Sequence, residues 1–238
     1  MIRTLALPAL TIAAVSGPAL AADIQLQAQG PLIELSVSET VKARPDIATV
    51  TAGITSQAQT AVEAMRVNAA AMDRVVERIK ALGISPDDIQ TTGIELGARY
   101  DYDQAQQRQI FRGYQASNRV SVILRKVPDT GRVLDALVAA GATDIGGPSF
   151  SIDDDTAPRA QARRAALEKA RKQAEDYAKW AGYTGVRLLQ VSENAQPGQP
   201  VPYMARDAIV VTGSKVTPVE PGLVGTMVTV GVTYEMTR

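Results

Sequence analysis

Asp153, Asp154 and Asp155 form the densest group of carboxylates in the chain, and three adjacent oxygen donors are the kind of set that can hold a hard cation. They also stand directly before a run that reads as a helix, with Thr156 and Pro158 suited to its first turn. Aspartates in that place accept from free backbone amides and complement the positive helix end, so capping is the reading carried forward. Asp101-x-Asp103 opens like a calcium loop. Its sixth position, however, is Gln106 instead of glycine, and its twelfth is Arg112 instead of glutamate, so the motif fails. Tyr100, Tyr102 and Tyr114 could stack a base or a sugar, but no basic residues surround them and strand alternation points to cross-strand packing. Met65 and Met72 are soft donors, yet they recur at helical spacing and read as core filler.

The absences are equally informative. The chain of 238 residues has no histidine and no cysteine. That removes zinc sites of the Cys/His type, Ser-His and Cys-His nucleophile pairs, imidazole proton shuttles, disulfides and thiol-linked lipids. No dinucleotide fingerprint, phosphate loop, nucleophile elbow or S-x-x-K motif occurs. Two distant carboxylates could still do glycoside chemistry, but nothing recommends a particular pair. The sequence therefore assigns no catalytic residue, no cofactor-binding residue, no metal ligand and no cofactor.

At the N-terminus, Arg3 precedes an apolar run from Leu5 to Leu20. Gly17-Pro18 interrupts the run and Ala19-Leu20-Ala21 closes it, the pattern of a cleaved secretory signal over residues 1–21. It is too short and too broken to span a bilayer. Of 25 basic and 25 acidic residues, losing Arg3 leaves 24 against 25, a net charge of −1. Such a chain has no electrostatic footprint for nucleic acid or an anionic membrane, and no later stretch is long enough to be a membrane-spanning segment. We expect a soluble protein of the bacterial periplasm with one domain over 22–238. Without disulfides it relies on its core, and about 217 residues can bury roughly 70% of their unfolded surface.

The elements follow from periodicity. Ile33, Leu35 and Val37 alternate with polar residues, and after the break at Pro45 so do Ala48, Val50, Ala52 and Ile54, opposite a face of Thr49, Thr51 and Thr55. That face should meet solvent, another layer or another subunit. Thr60 and Glu63 make a capping box for a helix ending at Gly83, with an apolar stripe of Val62, Met65, Ala69, Met72, Val76 and Ile79. Residues 94–102 and 114–124, joined by a polar tip, read as an antiparallel hairpin. A second helix over 130–140 presents Val133, Leu134, Leu137 and Val138 and stops at Gly141. A strand in "GPSFSID" points Phe150 and Ile152 inward. A third helix, reaching Ala181, has a seam of Leu167, Ala170, Ala174, Tyr177 and Ala181 and a charged outer face with Glu168–Lys172 and Glu175–Lys179 pairs. Strands follow at "RLLQVSE" and at 228–236, with a short edge strand at 207–211 inside a proline-rich stretch. The fold class is α+β, a mixed, mainly antiparallel sheet with three helices packed on one face.

In this order "VKARPDIATVTAGI", "EAMRVNAAAMDRVVERIKALGI", "DIQTTGIEL…YDY", "GYQASNRVSV", "GRVLDALVAAGATDIGGPSFSIDD", "ARRAALEKARKQAEDYAKWAGY" and "VTVGVTYEM" resemble the SIMPL-domain family from Leu32 to Met236. That family includes exported bacterial proteins described as periplasmic immunogenic or oxidative-stress-defence proteins. The resemblance implies a periplasmic or envelope protein of unknown function, homo-oligomeric in some members and channel-like when assembled. It is associated with oxidative stress and offers no accepted catalytic mechanism or catalytic residues. One departure is visible: "LSVSETVKARPD" lacks the glycine the family often carries near Ser38 or Glu39. The leading expectation is a non-enzymatic homo-oligomer. The alternative is a periplasmic small-molecule or peptide-binding module that uses the 195–222 loop as a lid. A hydrolase dependent on a cation at Asp153–Asp155 is third.

Overall fold

A computed structural model of the chain describes residues 28–193, 201–203 and 216–238. The leader expected at 1–21 and the edge strand expected at 207–211 lie outside these residues. The element order is β1 (Leu32–Ala43), β2 (Ile47–Ala58), α1 (Ala61–Ala81), β3 (Ile89–Asp103), β4 (Arg108–Leu124), α2 (Thr130–Ala139), β5 (Asp144–Ser151), α3 (Thr156–Trp180), β6 (Gly185–Glu193), β7 (Val201–Tyr203) and β8 (Leu223–Thr237). This is the expected α+β arrangement, and every strand pair is antiparallel. The strands divide between two four-stranded sheets, one ordered β3-β4-β2-β5, the other β1-β8-β6 with β7 also paired to β8.

Each sheet has its own helical cover and its own core. Ala48, Val50, Ala52 and Ile54 of β2 are all buried, together with Val120, Val122 and Leu124 of β4, under α1 and α2. Ile33, Val37, Val228, Val230, Val232 and Tyr234 are buried under α3. The two clusters share no residue. Helices here lie on the sheets because each has one apolar stripe to bury. The threonine face of β2 is only partly covered, with Thr55 exposed.

The helix ends behave as the sequence implies. The Thr60 hydroxyl accepts from the Glu63 amide at 3.3 Å, and glycines at 83, 141 and 182 follow the three helices with φ of 83°, 102° and 82°. The buried stripes differ by about one position from those expected. On α1 the stripe is Ala64, Asn68, Met72, Val75 and Ile79, and Val62 is exposed. On α3 it is Ala162, Ala166, Ala170, Ala174 and Ala178, with Tyr177 outside it. Val138 of α2 is likewise exposed. On the charged face of α3 the ion pair formed by Glu175 is with Arg171, at 2.9 Å.

The segment after residue 215 fastens α2 to the start of β8. Asp135 of α2 accepts from the Thr217 amide and hydroxyl at 3.2 and 2.6 Å. Gly131 permits the approach, since a Cβ there would stand 2.1 Å from the Thr217 carbonyl oxygen. Val219 then packs on the first core before the chain enters β8.

Candidate functional site

Among the described residues, the β3–β4 hairpin leaves a group of apolar side chains open to solvent. Its register sets Ile94 opposite Asn118, Leu96 opposite Ala116 and Ala98 opposite Tyr114, so these β3 side chains share the face that α1 buries further along β4. But α1 lies over β2 and β4, and β3 is the outermost strand. Ile94 is therefore 57% exposed, Leu96 46%, Tyr100 54% and Tyr102 61%. The expected aromatic group is present in altered form. Phe111 stands edge-on between Tyr100 and Tyr114, at ring distances of 5.6 and 5.4 Å, in the place foreseen for Tyr102. The reason is a bulge. Arg99 pairs with Gly113 and Tyr100 with Phe111, so Arg112 is extra, and Gly113 takes a φ of 122° beside it. The rings pack across strands, as cross-strand pairs do, rather than making a separate platform. At the tip, the Asp103 carboxylate accepts from the amides of Ala105 and Gln106 and closes the turn.

The opposite face of the hairpin is polar. Arg112 pairs with Asp101 at 2.9 Å, Arg119 with Asp144 of β5 at 2.9 Å, and Arg99 donates to Gln57 of β2 at 2.7 Å. A cleft of about 160 Å³ there, lined by Thr55, Glu95, Ser117, Arg119 and Asp144 among others, is too small and too polar for an organic ligand. A wider cleft of about 330 Å³ lies between the end of α1, β4 and α2, with Leu82, Ile84, Leu124 and Val133 in its wall and Arg125 and Arg132 at its rim. None of the described residues 216–222 of the proline-rich loop lines it.

The three aspartates do not converge. Asp153 accepts from Arg125 at 2.6 Å, and the same guanidinium grips Asp88 at 2.8 and 3.0 Å. Asp154 accepts from the Thr156 amide at 3.0 Å, and the Thr156 hydroxyl and amide together hold its carboxyl below the usual range. Asp155 pairs with Arg159 one turn into α3. Each carboxylate thus fixes a different part of the β5–α3 junction. Among the described residues, no group of three acidic side chains is placed to hold a metal ion. We expect a chelator to leave the thermal midpoint unchanged, and a shift of several degrees that added calcium or magnesium reverses would restore the cation reading.

Glu235 is the ionised group the sequence reading passed over. It is 3% exposed, at the end of β8, and its Oε1 accepts from the amides of Gln29 and Gly30 at 2.5 and 2.6 Å. Its Oε2 takes Nε and Nη2 of Arg187 at 3.0 and 2.6 Å. Gly30 has to be glycine, because a Cβ would lie 2.6 Å from the Met236 carbonyl oxygen. Arg187, followed by the Gln29 and Gly30 amides, lowers the Glu235 pKa. A carboxylate depressed on folding contributes stability that is complete above its unfolded value of about 4.3 and is lost as pH falls through the folded value. We therefore expect the Gly30 amide resonance to shift, and the segment before β1 to open to protease, only below about pH 4. Glu235→Gln should show the opened state at neutral pH. Glu235 alternates with the core residues of β8 and so lies on the face away from α3, where its pattern reads as solvent-facing and gives no sign of the cover by Arg187 and residues 29–30.

Read from the sequence, Met204 is the methionine expected to be exposed, and it lies outside the described residues. Among those, Met227 of β8 is exposed. A strand that alternates Met227 with Val228 indicates which side faces out once the sheet's covered face is known.

Comparison with known proteins supplies the lineage. A family model named SIMPL, described as a protein of unknown function (DUF541), matches residues 33–234. The chain is 31% identical over 194 residues to the 26 kDa periplasmic immunogenic protein of Brucella abortus (strain S19), covering 80% of this chain and 78% of the relative. It is also 31% identical over 194 residues to the uncharacterized protein YggE of Escherichia coli (strain K12), covering 78% and 76%. To the YggE of Edwardsiella ictaluri the identity is 28% over 174 residues, covering 73% and 72%. With the family model spanning both sheets and all three helices, the chain belongs to the SIMPL family.

Proposed function

We propose that this protein is an exported, non-enzymatic framework of the periplasm that works as a homo-oligomer in envelope or oxidative-stress defence. The observation that carries the reading is the uncovered apolar face of the β3–β4 hairpin. Contiguous exposed apolar side chains on an otherwise well-packed protein mark a surface that another molecule covers. The periplasmic part is supported by the Brucella relative's name and by the leader-like residues 1–21. The non-enzymatic part is supported by the missing histidine and cysteine and by carboxylates that each serve a structural partner. The defence role rests on the family resemblance. Its chemistry would fall to methionine, since no thiol is available to be oxidised.

The test is the native mass of the protein lacking residues 1–21, measured by light scattering across a concentration series. A defined multiple of the chain mass is expected, and a strict monomer at high concentration would refute the oligomer. Survival of a deletion strain under peroxide, with and without the gene restored, tests the defence role separately.

A further inference from the structure

Among the described residues, and apart from the three-residue β7, four strands end a sheet, and each carries some device against pairing with a foreign strand. β5 is 8 residues long, contains Pro148 and faces a bulge between Thr49 and Thr51. β6 is interrupted by a bulge between Leu188 and Gln190. β1 bears Glu34, Glu39 and Lys42, and Glu39 is tied to Lys169 of α3 at 2.5 Å. Prolines, bulges and charged residues are the usual ways of blunting an edge. β3 carries a bulge at Thr92 and the charged Glu95 and Arg99, but at 15 residues it is the longest of the four. Between its bulge at Thr92 and Arg99 it runs without proline, lysine or a further bulge of its own, and its outer row of backbone N–H and C=O groups has no strand beside it among the described residues.

The pattern of side chains on this edge is self-complementary in one register. Two copies of a strand joined antiparallel about a twofold axis perpendicular to the sheet keep the same faces together. With the axis at Gly97, Glu95 stands opposite Arg99 of the second copy, and the pair occurs twice. On the apolar face the same register sets Ile94 opposite Tyr100 and Leu96 opposite Ala98. Neighbouring registers fail. An axis at Ala98 opposes Glu95 to Asp101, an axis at Glu95 or Arg99 opposes each to its own kind, and an axis at Leu96 opposes Glu95 to glycine. An axis at Tyr100 would call on Asp101, which Arg112 already holds at 2.9 Å. Glu95 has no hydrogen bond or ion pair among the described residues. Arg99 spends one of its five N–H groups on Gln57. A side chain added at Gly97 or Gly93 would meet nothing within 4 Å, so the outer face along this edge is open.

We propose that β3 pairs antiparallel with β3 of a second copy about a twofold axis at Gly97, fixed by two Glu95–Arg99 ion pairs and by apolar pairs on the opposite face. This rests on the homo-oligomer reading and specifies one of its interfaces. The pairing joins two four-stranded sheets into one of eight and brings the exposed apolar faces of two hairpins side by side.

The absence of cysteine makes the test direct. Gly97→Cys introduces the sole thiol, on the axis, where either antiparallel pairing geometry puts the two Cα atoms about 4.5–5.5 Å apart, within disulfide range. Under mild oxidation it should cross-link into a covalent dimer nearly completely, and Val138→Cys on exposed α2 should not. Glu95→Arg alone and Arg99→Glu alone should each raise the dimer dissociation constant about tenfold, and the double exchange should restore it to within about threefold. An oligomer that persists with no cross-link through the introduced thiol and no effect of charge reversal overturns the β3 pairing and leaves the homo-oligomer standing. A monomer at all concentrations, for the unaltered protein and Gly97→Cys alike, overturns both.

Discussion

Ala170→Leu is expected to destabilise the protein by about 3 kcal/mol, the upper part of the range for overfilling a packed core. Ala162, Ala166, Ala170, Ala174 and Ala178 have no exposed surface and form an unbroken buried stripe along α3. A methyl group at every fourth position lets the helix axis come close to β1 and β8, and the buried Val230, Val232 and Tyr234 fill the space between. An isobutyl group at the middle of the stripe has no room unless the helix lifts along much of its length. Leucine is nearly as good a helix former as alanine, so the loss cannot be charged to helicity. Urea denaturation measures it, with Gln173→Leu on the exposed face as a control expected to stay within about 0.5 kcal/mol. Amide exchange should report the loss in β1, β6 and β8 first and spare β2 and β4, since the two cores have no residue in common.

Asn68→Leu should cost about 2 kcal/mol despite adding apolar character to a site only 2% exposed. The Asn68 amide nitrogen donates to the carbonyl oxygens of Ile54 at 2.9 Å and Ala116 at 3.0 Å, so one side chain of α1 clips β2 to β4. Leucine keeps the branched outline of the side chain and removes both donors, leaving two buried carbonyls with fewer partners. An unchanged or raised urea midpoint would show that the clip contributes nothing and that Asn68 is only tolerated.

Asn68 also shows why the sequence was legible in one layer and not in another. The alternation of Ala48, Val50, Ala52 and Ile54 is strict because one face of β2 is wholly buried, and all four side chains are buried as that alternation requires. Thr60, Gly83, Gly141 and Gly182 mark helix ends through local backbone chemistry that needs no tertiary knowledge. The stripes failed where burial was inferred from hydrophobicity alone. A reading that searches for apolar residues passes over Asn68 and chooses Val62, yet the strand carbonyls beneath α1 reward a donor. On α3 the expected seam held Ala170 and Ala174, which are buried, but took Leu167 and Tyr177 where Ala166 and Ala178 are the buried residues. Nor does periodicity reveal that one run of strands is two sheets, because the partners of β1 and β2 are set by residues far along the chain. The hairpin was read correctly as antiparallel, but whether a helix covers its apolar face depends on where α1 lies, and that is a property of the whole sheet.

The middle strand of the second sheet is the last element of the chain. β1 has β8 as its neighbour in the sheet, with Ser38 opposite Thr229 at a separation of 191 residues. A chain delivered from its N-terminus, whether by a ribosome or through a narrow pore, can complete the β3-β4-β2-β5 layer early but must hold β1 unpartnered until the 15 residues of β8 arrive. Such long-range closure is slow. It leaves that half of the molecule open until the strand arrives, and any copy that stops before β8 lacks the strand on which that half is built.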